Sequence, residues 1–169
     1  MESVLLDSSF LISLSDDRRK DHDVAKSYFY SFIEKGVMMY LSTIVICEYE
    51  VRQRVTDLGL HNFIILPFNY DDAITGAVAF SEMHPARTAR DDRAAVSADA
   101  KTMGQCVTAG ISFFATGDDK CCARIDGVLN RGSMLPFPKP ISTKLPYDSS
   151  WLNGGQHEIP ISDATGNMD

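Results

Sequence analysis

Short apolar runs of strand length alternate with amphipathic stretches of helix length along this chain. That alternation constrains it to βα units, a mainly parallel sheet whose strands are covered by helices. Val4-Leu5-Leu6 opens as a buried strand. A helix is expected around residues 22 to 35, where Ala25, Tyr28, Phe29, Phe32 and Ile33 form an apolar stripe and Gly36 supplies the stop. Val37 to Leu41 reads as a second strand, and Ser42-Thr43 starts a helix running through about Val55. Phe63 to Leu66 reads as a third strand ended by Pro67, followed by a helix from Asp71 to Met83. Beyond a connection from His84 to Arg90, Asp91-Asp92 sits where negative charge favours a helix start, and that helix runs to about Val107 before Gly110. Ile111 to Ala115 is a fourth strand, and Thr116-Gly117-Asp118-Asp119 leads into a helix through about Leu129.

After Gly132 the composition changes. Pro136, Pro138, Pro140, Pro146 and Pro160 exclude a regular helix, and an edge strand near Pro140 to Ser142 is expected. The end from about Trp151, with Gly154-Gly155 and Gly166, reads as a surface-draped or disordered tail. The chain therefore divides into one domain, residues 1–146, and an irregular C-terminal extension, residues 147–169.

No apolar run approaches the roughly 20 residues needed to span a bilayer. Met1-Glu2-Ser3-Val4 also lacks the basic and long apolar regions of a secretory signal, so a cytoplasmic location without a membrane partner is expected. Cys47, Cys106, Cys121 and Cys122 show neither CxxC pairing nor a nearby histidine at zinc-site spacing, which points to reduced thiols. His22, His61, His84 and His157 are scattered and pair with no serine or cysteine nucleophile motif. A formal net charge of -7 excludes a protein that coats nucleic acid with a broad basic surface. It leaves room for phosphate chemistry at a carboxylate cluster, where a metal offsets local charge.

The informative acids stand where the pattern calls for apolar residues. Ile44, Val51 and Val55 read as a buried stripe, and Glu48 falls on it. Val96, Ala100, Met103 and Val107 define the apolar side of a later helix, and Asp99 sits within that side. Asp7 directly follows the first strand and Asp118 closely follows the fourth, so both lie at strand carboxyl ends, where open α/β sheets place ligands. Two like charges about 4 Å apart repel by on the order of 4 kcal/mol at an effective dielectric near 20. With no lysine or arginine read onto the matching inward positions, a divalent cation is the simplest compensation, and all-oxygen ligands favour Mg²⁺ or Mn²⁺.

These residues resemble the PIN-domain family. Val4-Leu5-Leu6-Asp7-Ser8-Ser9 is similar to its opening strand and Asp, and Ser42-Thr43-Ile44-Val45-Ile46-Cys47-Glu48 to its second block. Asp99-Ala100 and Phe114-Ala115-Thr116-Gly117-Asp118 resemble the helix Asp and the Thr-x-Asp turn of the last blocks. The resemblance covers roughly residues 1 to 146 and implies a three-layer α/β/α sandwich with a mainly parallel sheet in the order 3-2-1-4-5. It implies a Mg²⁺- or Mn²⁺-dependent ribonuclease in which Asp7, Glu48, Asp99 and Asp118 act as the catalytic, metal-binding acids, while Ser9 and Thr116 hold a carboxylate or phosphate oxygen. Many members are VapC-type toxins inhibited by an antitoxin protein, and they are often homodimers.

The Asp118-Asp119 doublet departs from the pattern: either acid could bind metal, and Asp119 is expected to cap the last helix. Arg87, Arg90, Arg93, Lys120 and Arg124 are read as solvated surface charges rather than an RNA path. Two competing readings are a PIN-like module that binds RNA or protein without cleaving, and a haloacid-dehalogenase-like phosphatase. The phosphatase requires an Asp where Ser9 stands.

Overall fold

β1 (Ser3–Leu6) forms the centre of the sheet, because every one of its residues is buried and it pairs on both sides. The computed structural model describes residues 1–86 and 93–153. In chain order, β1 is followed by α1 (Ser8–Ser15), α2 (His22–Glu34), β2 (Met38–Ser42), α3 (Thr43–Glu50), β3 (Ile64–Leu66) and α4 (Tyr70–Met83). Then come α5 (Arg93–Thr108), β4 (Phe113–Thr116), α6 (Asp119–Arg131) and β5 (Lys139–Ser142). The five strands are parallel and lie in the order β3-β2-β1-β4-β5, as expected. Val4 sits opposite Met39 on one side and Phe113 on the other. The strand order reverses between β1 and β4, so the carboxyl ends of these two strands flank the crevice where such sheets bind ligands.

Phe10, Leu11, Tyr28, Phe32, Leu41, Met103 and Phe114 are almost wholly buried and bring the helices onto the sheet. Each such burial contributes roughly 1.5–3 kcal/mol. α4 carries a reciprocal capping box between Asn69 and Asp72. It crosses α5 so closely that a Cβ at Gly104 would stand 2.6 Å from both the Asp72 carbonyl oxygen and the Gly76 nitrogen.

Three expectations need correction. Residues 8–15 form a helix, α1, that no periodicity signals, because the run Ser8-Ser9-Phe10-Leu11-Ile12-Ser13-Leu14-Ser15 has no charged face to reveal a helical period. The helix after Ser42 ends at Glu50, not Val55, and its buried side is Val45 and Tyr49; Val51 is 84% exposed. Trp151, assigned to a surface tail, is only 2% exposed. Its ring meets Phe32 and Phe113 edge-on at 5.1 and 5.0 Å, and its Nε1 donates to Ser31 Oγ at 3.1 Å. Tyr147, itself partly exposed, packs edge-on against Tyr28 at 4.8 Å, so the start of the C-terminal segment is held against the domain and Trp151 enters its core.

Asp91-Asp92, Arg87, Arg90, Gly154-Gly155, His157, Pro160 and Gly166 lie outside the described residues. Among the described residues, no helix is long and apolar enough to cross a membrane. All four cysteines are free thiols, with Cys106 and Cys121 buried.

Trp151→Ala is expected to lower unfolding stability by about 3–5 kcal/mol, the cost of an emptied aromatic site. Urea denaturation of the full chain measures it; a loss within ~0.5 kcal/mol, typical of a surface position, would contradict the packing seen here.

Candidate active site

β1 ends at Leu6, and the next residue, Asp7, occupies the cap position of α1 without using its side chain as a cap. The carboxylate turns across to β4 instead. Asp7 Oδ2 accepts hydrogen bonds from Ser9 Oγ at 2.6 Å and Thr116 Oγ1 at 2.8 Å. The same hydroxyls receive the backbone N–H groups of the next turn: Gly117 donates to Ser9 Oγ at 2.8 Å and Asp118 to Thr116 Oγ1 at 3.0 Å. Asp7, Ser9 and Thr116 therefore join β1, α1 and the β4–α6 turn in one polar cluster. Gly117 is confined there, since an added Cβ would approach Thr143 Oγ1 to 3.1 Å.

Asp118 caps α6: its Oδ1 accepts from the backbone N–H groups of Lys120 at 2.8 Å and Cys121 at 3.3 Å. The capping role expected of Asp119 belongs to its neighbour. Asp119 is an exposed residue in the first turn, and Ser142 Oγ stands 3.4 Å from its Oδ1.

Glu48 differs from its expected setting. It is an exposed residue rather than part of a buried stripe, and Ser8 Oγ donates to its Oε2 at 2.8 Å. Crowding of its carboxyl group still raises its pKa by desolvation, with Asp7 repulsion adding to the rise and the Ser8 bond opposing it.

Asp99 projects from α5 with a side chain 20% exposed. Burial pushes its carboxyl up to about 6, the pairing with Arg124 works against that rise, and repulsion from Asp7 and Asp118 adds to it. Asp7 thus couples electrostatically to Glu48 and Asp99, while Asp99 also couples to Asp118. The four acids come from separate elements and share one end of the sheet.

Arg124 overturns the expectation of a solvated charge and of an inward surface free of cations. It is 2% exposed, and both its Nε, at 3.1 Å, and its Nη2 donate to Asp99 Oδ2. The signal was present in the spacing: Cys121, Arg124, Ile125 and Val128 form the buried face of α6, and the arginine lies inside that stripe.

Asp21 was missed altogether, because Asp16-Asp17-Arg18-Arg19-Lys20-Asp21 reads as a solvated charge run. It is 4% exposed and accepts from Ser13 Oγ at 2.8 Å, Thr143 Oγ1 at 2.6 Å and Lys144 Nζ at 3.0 Å. Burial works to raise its pKa, but the bonds from Thr143, Lys144 and Ser13 prevail and hold the carboxyl at about 2. Arg19 Nε lies 3.7 Å from Asp21 Oδ1, which ties this buried acid to the rim of the site.

Two open clefts share Glu48 as a wall. One, of about 470 Å³, is bounded by Ser8, Ser9, Arg19 and Arg52; the other, of about 480 Å³, by Ile44, Cys47, Phe68, Ala98 and Lys101. A larger cleft of about 790 Å³ among α1, α2 and α3 contains none of the four acids.

The donor chemistry suits a hard cation, since the coupled groups are all carboxylates. Among the described residues, no three acidic, histidine or cysteine side chains stand close enough to grip one ion, so the arrangement is open rather than a closed cage.

Neither a family model nor a curated protein matches the sequence. Similar solved structures do exist. VapBC2 from Rickettsia felis, bound to a DNA fragment from its promoter, matches with a TM-score of 0.55 at 13% identity over 83% of this chain and 98% of that one. DNA-bound VapBC from Salmonella typhimurium matches at 0.54 and 14% identity, over 85% and 99%. VapC20 from Mycobacterium tuberculosis, a Sarcin-Ricin loop cleaving toxin, matches at 0.51 and 14% identity, over 71% and 93%. The chain has a VapC-like PIN-domain fold, in agreement with the resemblance of its motifs.

Arg124→Met removes the buried counter-charge of Asp99, and the expected loss at pH 7.5 is about 3–5 kcal/mol. Asp99 has a raised native pKa, so its protonated form favours folding below its unfolded value near 3.8, and that contribution disappears as pH rises through about 6. The variant should therefore regain part of its deficit between pH 7.5 and pH 5. Urea melts at both values decide this; a pH-independent deficit would place the effect in packing alone.

Proposed function

We propose that the protein is a Mg²⁺- or Mn²⁺-dependent ribonuclease, with Asp7, Glu48, Asp99 and Asp118 as the acids of its active site. The observation that carries this reading is the Asp7–Ser9–Thr116 cluster joining the carboxyl ends of β1 and β4, with Asp118 on the adjoining turn and Asp99 paired to Arg124 on the neighbouring helices. A bound cation supplies neutralisation of charge on the phosphate and acidifies water. The chain's own groups do the rest. Ser9 and Thr116 orient Asp7, Arg124 holds Asp99, and Asp118 stiffens the start of α6. Glu48, held by Ser8 and raised in pKa, is suited to accept a proton from an attacking water. Arg19 and Arg52 in the adjoining cleft supply positive charge for a flanking phosphate.

RNA as substrate accords with the Sarcin-Ricin loop cleavage named for VapC20. An antitoxin partner accords with the VapBC pairs. A homodimer would cover the exposed stripe of Tyr70, Ile74 and Val78 on α4. Asp119, turned toward Ser142, is the outer acid of the doublet, and Asp119→Asn should retain more activity than Asp118→Asn. A second reading, a non-cleaving RNA- or protein-binding module, is favoured by the pairing of Asp99 with Arg124 and the open spacing of the acids.

Turnover of a fluorescent single-stranded RNA separates the two. Mn²⁺ should support cleavage, EDTA should abolish it, and Asp7→Asn should lower kcat by about 100-fold or more with the circular dichroism unchanged. RNA binding without metal-dependent turnover would defeat the enzyme reading and support the module.

The pH profile gives an independent check. Metal binding requires ionised carboxylates. The Mn²⁺-induced gain in Tm should therefore shrink as pH falls through about 6, where Asp99 takes up its proton. A gain constant from pH 7.5 to pH 5 would remove Asp99 from the ligand set.

A further inference from the structure

We infer that the cleft between α3 and α5 is a nucleobase pocket, seating one unpaired base of an RNA strand beside the phosphate held at the acids. The inference deepens the ribonuclease reading and rests on it for the identity of the strand. The neighbouring clefts differ in chemistry although Glu48 belongs to both. Arg19 and Arg52 make the α1 side suited to a phosphate. On the α5 side, Ile44, Cys47, Phe68 and Ala98 present mainly carbon surface, with Lys101 beside it. A polynucleotide has the same two-part chemistry: a charged backbone, and flat bases that stack on aromatic rings with little regard to sequence.

The pocket's position adds to the argument. Ala98 immediately precedes Asp99, and Ile44 lies one helical turn before Glu48, so two of its walls are built on the same helices as two active-site acids. Phe68 enters from the β3–α4 connection. Its backbone N–H donates to Thr43 Oγ1 at 3.1 Å, anchoring the connection to the first turn of α3. The ring is half-buried, leaving part of it able to meet a ligand. Pro67 precedes it and fixes the backbone φ at the entry to this connection. Lys101, exposed on α5, supplies a cation for the phosphate that carries the base. A wholly apolar partner would leave Lys101 without a complementary group, whereas a nucleotide offers it an anion.

The test uses a short oligoribonucleotide and versions with a single abasic nucleotide at each position around the cleavage point. With wild-type protein, one abasic position should raise KM by about tenfold while kcat changes by less than about twofold. Phe68→Ala should raise KM for the intact strand by a similar factor and abolish the difference between intact and abasic strands. Phe68→Tyr, which keeps an aromatic face, should restore most of it.

The same strands are measured by fluorescence anisotropy with Asp7→Asn protein in EDTA, where neither cleavage nor metal is needed. The pattern should recur there in Kd, and the Phe68 substitutions are made in that background too. If wild type does not cleave but the binding pattern appears, the nuclease reading fails and the pocket stands. Equal sensitivity of intact and abasic strands to Phe68→Ala, or absence of any abasic effect in both assays, overturns the pocket. Should Phe68→Ala unfold, Ile44→Glu replaces it and must give the same loss of base dependence.

Discussion

The site depends on holding a carboxylate at the end of the central strand while other carboxylates crowd toward it. Asp7 is held by two hydroxyls, Ser9 from α1 and Thr116 from β4, donating to one oxygen at 2.6 and 2.8 Å. A hydrogen bond to a charged acceptor is worth about 1.5–3 kcal/mol net, so the two hydroxyls fix the acid firmly in place. The same hydroxyls receive the N–H groups of Gly117 and Asp118, so the position of the acid and the path of the β4–α6 turn are set by one network. Changing either hydroxyl alters both.

Arg124 occupies the opposite side of that balance. A guanidinium this deeply buried carries a large desolvation cost, which Asp99 offsets only by remaining close and ionised. Asp99 has competing demands, because burial and the charges of Asp7 and Asp118 favour its protonated form. The pair therefore acts as an internal charge reservoir. At neutral pH Arg124 offsets the charge of an ionised Asp99, yet burial and the neighbouring acids leave that carboxyl with a raised pKa. Asp21 shows the contrasting outcome. Two hydroxyls and a lysine surround it, and its pKa falls to about 2 despite burial, as suits an acid with a structural task.

The fold was largely legible because strands buried on both faces must be continuous apolar runs, and Val4 to Leu6 and Phe113 to Ala115 satisfy that requirement within the sequence itself. The order of the sheet was available only through the family resemblance, since no local pattern determines which strands pair. α1 escaped because eight residues of serine and apolar side chains lack the charged side that reveals a helical period. Glu48 was singled out for an incorrect reason: the buried face of α3 is Val45 and Tyr49, and the acid is held by Ser8 across the helix boundary. Trp151 shows a different limit. Its flanking glycines and prolines resemble those of a loose tail, whereas the partners that bury it, Phe32 and Phe113, are remote in sequence. Arg124 could have been found, because it falls within an i, i+3, i+4, i+7 apolar stripe.

A chain with a net charge of -7 can still handle a polyanion if its positive charge is placed locally. Arg19 and Arg52 lie on one side of Glu48 and Lys101 on the other. The Debye length is about 8 Å at physiological salt, so acids elsewhere on the surface are screened from a strand in these clefts, while the three nearby cations act at contact range. Arg19 has a further advantage. Its Nε lies 3.7 Å from the Asp21 carboxylate, which is fixed by three other donors, so its side chain loses less freedom on meeting a phosphate than an untethered arginine would. Thus the charge run at Asp16 to Asp21, which no motif distinguishes in the linear sequence, provides both a buried anchor, Asp21, and a cation lining the cleft, Arg19.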